Sequence, residues 1–76
     1  MIRFEIYDMD ADKTDRVFRC PDGRFGDMIY MDMYEYLMRR FCLEHDAADD
    51  AVSWCDIASV GSVYYGDGFE IYVEEE

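Results

Sequence analysis

Apolar and charged residues alternate at both ends of the chain. Ile2, Phe4 and Ile6 alternate with Arg3, Glu5 and Tyr7, the period of a half-buried strand. Residues 8–15 are polar and turn-rich and read as a loop. Arg16–Cys20 then reads as a second strand returning as a hairpin, and Pro21-Asp22-Gly23 stops it with turn chemistry. From about Gly26 to Glu44 the period lengthens. Ile29, Tyr30, Met33, Tyr34, Leu37, Met38 and Phe41 recur at steps of three and four, the stripe of a long helix. Asp27 near its start and Arg39 and Arg40 toward its end suit the helix dipole. Asp46 is placed to cap a second helix, Ala47 to about Ala58, with Asp49 and Asp50 in its first turn and Gly61 ending it. In that helix Ala51, Cys55 and Ala58 turn inward beside Trp54, while Asp49, Ser53 and Asp56 lie opposite. Val63-Tyr64-Tyr65 is a short extended piece, Gly66-Asp67-Gly68 a turn, and Phe69, Ile71 and Val73 alternate with Glu70, Tyr72 and Glu74 in a last strand.

The predicted order is β-β-α-α-β: an α+β domain over residues 1–76, with a small antiparallel sheet of three or so strands and two helices on one face. Phe4, Ile6, Met33, Leu37, Phe41, Trp54, Ile71 and Val73 are its predicted core. A chain of 76 residues buries only about 60% of its unfolded surface, so large side chains must supply the core. A content of 51% hydrophobic and 17% aromatic residues meets that need without a disulfide framework. Cys20, Cys42 and Cys55 are odd in number and unpaired in spacing, which reads as reduced, mostly buried thiols of a cytoplasmic protein. No apolar run is long enough to span a membrane, and the alternating N-terminus does not read as a signal peptide.

Motifs that would carry chemistry fail on their own requirements. Asp8-x-Asp10-x-Asp12 suggests a calcium loop, but that loop needs Gly at its sixth position and Glu at its twelfth, where Lys13 and Arg19 stand. Zinc would draw on Cys20, Cys42, Cys55 and His45, of which Cys42 and His45, three apart on a helix, are the one near pair. Cys42 also belongs to the apolar stripe, so no metal or other cofactor is expected. The same pair is the sole nucleophile–base candidate, and nothing supplies an oxyanion site. No catalytic residue is assigned, and the expectation is a protein that is not an enzyme.

Charge changes the picture more than any motif. Nineteen acids against seven bases give a net charge of -12. Every Lys and Arg lies in residues 1–40, while residues 41–76 hold ten acids and no base. Like-sign charge at this density opposes folding through self-repulsion, and it exceeds the roughly 2–8 charges that keep a small domain soluble. Direct nucleic-acid binding needs a basic face, which is missing. The converse is available. Asp46, Asp49, Asp50, Asp56, Asp67, Glu70, Glu74 and Glu75, with Glu76 beside them, could line adjoining surfaces of the second helix and last strand. There they would occupy an Arg/Lys channel built for a nucleic acid. The alternative is a small adaptor or regulatory subunit that docks through apolar and aromatic residues.

In size, charge, lack of catalytic groups and α+β layout, the whole chain resembles the small acidic anti-defence proteins of phages and mobile elements. These include anti-CRISPR proteins, anti-restriction proteins and uracil-DNA glycosylase inhibitors, many of them DNA mimics. The resemblance rests on no residue motif and transfers no functional residue. It implies an inhibitor that fills the DNA- or RNA-binding groove of a nuclease complex in the host cytoplasm.

Overall fold

The alternating ends of the chain become the two central strands of one sheet. In a computed structural model, which describes residues 1–20 and 26–76, β1 (Ile2–Asp8) pairs antiparallel with β4 (Phe69–Glu75). Phe4 lies opposite Val73 and Ile6 opposite Ile71. Successive side chains leave a strand on opposite faces, so Phe4, Ile6, Phe69, Ile71 and Val73 share one face, and all are buried. β2 (Lys13–Cys20) pairs with β1 on one edge, and β3 (Val63–Tyr65) pairs with β4 on the other. The order β2-β1-β4-β3 gives four antiparallel strands, one more than the predicted arrangement, because the short piece 63–65 is a true edge strand. The predicted turn at Pro21-Asp22-Gly23 lies outside the described residues.

The hairpin is tighter than its polar sequence suggests. β1 runs on to Asp8 and β2 starts at Lys13, so half of the expected loop is strand. Arg16 lies opposite Ile6 and Thr14 opposite Tyr7, which leaves Asp15 unpaired as a bulge. Bulges re-aim side chains, and this one turns Asp15 toward the helices, where Tyr36 and Arg40 bind it.

Helix α1 (Asp27–Arg40) ends four residues before the predicted Glu44. Phe41 closes it, and Cys42 takes a left-handed backbone with φ of 53°. Cys42 is therefore exposed in the connection, off the apolar stripe, and no helix carries it together with His45. Helix α2 (His45–Ile57) begins two residues early, so Glu44, not Asp46, is the N-cap residue, without a side-chain cap. Asp46 lies in the first turn, and Asp49 and Asp50 fall in the second. The helix stops at Ala58, and Gly61 serves the following turn instead. Its φ of +94° and its N–H bond to the Val73 carbonyl (2.8 Å) bring the chain into β3.

The helices form an antiparallel hairpin: Tyr30 donates to Asp49, and Tyr34 shares a hydrogen bond with His45. Both cover the apolar sheet face. Met33 and Leu37 from α1 and Ala51, Val52 and Cys55 from α2 join Phe4, Ile6, Phe18, Cys20, Phe69, Ile71 and Val73 in one core. Six of the eight predicted core residues are fully buried; Phe41 and Trp54 are only half-buried at its margins. Phe41 stacks on Phe69 at 4.9 Å, and Trp54 lies 5.4 Å from Tyr64. No helix among the described residues is long and apolar enough to cross a membrane.

Candidate acidic contact surface

Helix α2 gathers half of the predicted acids. Asp46, Asp49, Asp50 and Asp56 are all exposed on the side away from Ala48, Ala51, Val52 and Cys55. A helix rises 1.5 Å per residue, so the four span about 15 Å along one ridge. None of them makes an ion pair among the described residues. Two are held by tyrosines: Tyr30 of α1 donates to Asp49, and Tyr64 of β3 donates to Asp50 at 2.8 Å. Both phenols are harder to ionise as a result. Tyr30 is raised chiefly by its bond to Asp49; Tyr64 is pushed up to about 12, first by burial and then by Asp50. The carboxylates of Asp49 and Asp50 are thereby oriented, while those of Asp46 and Asp56 have no partner among the described residues. Asp56 also lies in the last turn of α2, where no base accompanies it. A carboxylate at the negative end of a helix dipole costs about 0.3–1 kcal/mol.

The other four predicted residues lie elsewhere. Glu70 and Glu74 alternate with the buried Phe69, Ile71 and Val73, so they occupy the sheet face opposite the helices. They are also engaged: Arg3 bridges to Glu74 at 3.0 Å, and Tyr72 donates to Glu70 at 2.8 Å. Glu75 is exposed at the end of β4 opposite Ile2. Asp67 lies in the β3–β4 turn, beside an open hollow lined by Asp8, Asp10 and Arg40–Cys42. The second helix and last strand therefore do not present one continuous acidic face.

Folding also moves the bases of the first half toward acids of both halves. Arg3 and Arg19 reach the C-terminal strand, where Glu76 accepts from Arg19 at 2.9 Å, and that contact holds its carboxyl below the ordinary value. Arg40 joins Asp8 and Asp15. Among the described residues, Asp8 is the one buried charge, 4% exposed. The backbone N–H groups of Ala11 and Asp10 and the Arg40 guanidinium keep its carboxyl below the usual range, against the opposing effect of burial. Asp8 is thus a structural latch at the start of a turn; among the described residues no group of three or more His, Cys, Asp or Glu side chains is placed to hold a metal ion. Cys20 and Cys55 are buried, and burial raises both thiols, Cys55 to about 12, which makes them poor nucleophiles.

Sequence reasoning missed the roles of Tyr30 and Tyr64, which it read as helix-stripe and strand residues, and it missed Ile57. Ile57 is 81% exposed directly beside Asp56. Its position was available from the helical period, since two residues on from the inward Cys55 is about 200° around the helix. No family model, curated protein or solved structure matches the chain.

Proposed function

We propose that the protein is a non-enzymatic acidic inhibitor whose α2 ridge occupies a basic, nucleic-acid-binding surface of a protein partner, in the manner of anti-CRISPR or anti-restriction proteins. One observation carries the reading. Among the described residues, three arginines make ion pairs along the strands and at the end of α1, and the four aspartates of α2 make none. Asp56 faces the unfavourable end of its own helix dipole. A domain of this size has little stability to spare, and unfavourable placements persist where function uses them. Carboxylates on a rigid helix offer a cationic groove the charge it was built to receive, and close charge pairs across an interface are worth about 1.5 kcal/mol or more each.

The test is displacement of a fluorescent duplex from a panel of nucleases and guide-RNA nuclease complexes. The acidic variant is Asp46→Lys with Asp56→Lys, since neither residue has a partner among the described residues. Asp49 and Asp50 are unsuitable because their reversal also strips Tyr30 and Tyr64. The control is Asp10→Lys with Asp12→Lys in the β1–β2 turn. Asp15 is excluded from that control because it binds Tyr36 and Arg40. Inhibition by the parent that is lost in the α2 variant and kept in the control supports the reading. Equal inhibition by all three rejects it.

A further inference from the structure

Among the described residues, four of the seven exposed large apolar side chains lie on or just after the helices: Ile57 is 81% exposed and Met28 79%, with Met31 at 52% and Val60 at 47%, while Tyr65, Met9 and Met1 lie on or beside the strands. Tyr30 reaches Asp49 and also Ser53, so the start of α1 lies alongside the last turns of α2. Met28 and Ile57 therefore sit at the same end of the hairpin, away from its connecting loop. Met31 follows one turn after Met28, and Val60 follows the end of α2. The acidic ridge runs straight into this group, with Asp56 adjacent to Ile57 and Asp46 about 16 Å further along α2.

Resting on the reading of α2 as the contact ridge, we infer that the ridge and the apolar end of the hairpin form one docking surface, and that its occupant is a protein presenting cationic side chains beside an apolar hollow. A surface that met only a phosphate-binding channel would need charge alone. Exposed apolar side chains bordered by charge are the anatomy of a protein–protein interface, in which a few apolar anchors supply affinity and the charged surround supplies orientation. Acids serving solubility alone give no reason to leave an isoleucine and two methionines in water at one place. The sign of the bordering charge chooses the partner. Asp46, Asp49, Asp50 and Asp56 repel an acidic surface, including a second copy of this chain, and attract a basic one.

The probe is an amphipathic helical peptide of lysine and leucine, titrated against the intact protein by fluorescence at low and high salt. Met28→Ser with Ile57→Ser, both exposed, should weaken binding about tenfold at both salt concentrations and leave the salt slope unchanged. Asp46→Asn with Asp56→Asn should weaken it at low salt and flatten the slope. Circular dichroism checks that both variants keep the parent's fold. If the serine pair binds like the parent, the apolar anchor does not exist. If the asparagine pair binds like the parent, the contact-ridge reading itself fails. Sedimentation showing a dimer of the parent that Ile57→Ser dissociates would make the occupant a second copy and overturn the inference.

Discussion

The flank built from β2 and α1 and the flank built from β3 and α2 cover the same core but treat charge in opposite ways. On the first, Lys13, Arg16, Arg19, Arg39 and Arg40 accompany the acids. Arg40 ties Asp8 to Asp15, Tyr36 donates to Asp15, and the Arg16 guanidinium lies 4.4 Å from the Phe18 ring centre. On the second there is no base at all, and the carboxylates of Asp49 and Asp50 find only tyrosine hydroxyls. The ion pairs of the first flank therefore join secondary elements, while Asp46 and Asp56 on the second make none among the described residues. Net charge alone hides this difference. β2 and α1 together carry four acids and five bases, while α2 and β3 carry four acids and no base.

The comparison breaks most completely if the flanks are separate folding units. Leu37 is fully buried in the core they share. Leu37→Ala should cost about 2–5 kcal/mol and lower the melting of both flanks together, read by tryptophan fluorescence at Trp54 on one and by amide exchange in β2 on the other. Phe41→Ala should cost less, because Phe41 is only half-buried. Gly66→Ala probes the second flank. A Cβ there would collide with the Phe69 ring, while the Gly66 N–H bonds the Phe69 carbonyl at 2.9 Å. The overpacking should cost about 1–3 kcal/mol in a chemical denaturation curve.

A smaller effect is specific to the first flank. The native carboxyls of Asp8 and Glu76 lie below their ordinary values of 3.8 and 4.5. Their contribution is fully present above those values and is lost as pH falls through the lowered native ones. Arg40→Ala and Asp8→Asn should each lower the melting temperature at neutral pH. Each should also shrink the parent's loss of stability between about pH 4 and pH 2. An unchanged acid profile in Asp8→Asn would mean that the latch is not formed in solution. Smallest of all is the response to salt. Screening should raise the parent's melting temperature slightly at neutral pH, because the unpaired acids repel one another.

The alternation of Phe4 with Ile6 and of Phe69, Ile71 and Val73 exposed the central strands directly, and the α1 stripe exposed the helix. These elements bury one regular set of positions, so their period is visible. The start of β2 was hidden because Lys13, Thr14 and Asp15 lie on an edge strand, where polar side chains reach water without breaking the ladder. The bulge at Asp15 and the left-handed Cys42 are set by what the chain must reach next, and no local pattern announces them. At the acidic surface, the α2 acids were legible from the helical period. The alternation already used for β4 also sends Glu70 and Glu74 to the face away from the helices. What the sequence could not display was neutralisation across strands, since Arg3 and Glu74 are 71 residues apart and meet only through the β1–β4 register.

The contrast between joined and unjoined carboxylates reduces to one measurement, the melting temperatures of Asp56→Lys and Glu74→Lys at about 0.01 M salt, where the Debye length is ~30 Å. Asp56→Lys replaces an unpaired acid at the negative end of α2 and should raise the melting temperature, by about 0.3–1 kcal/mol of added stability. Glu74→Lys sets a lysine beside Arg3 in place of an ion pair and should lower it. A fall in both variants would show that Asp56 is as engaged in the fold as Glu74, and α2 would lose its claim to be the surface kept free for a partner.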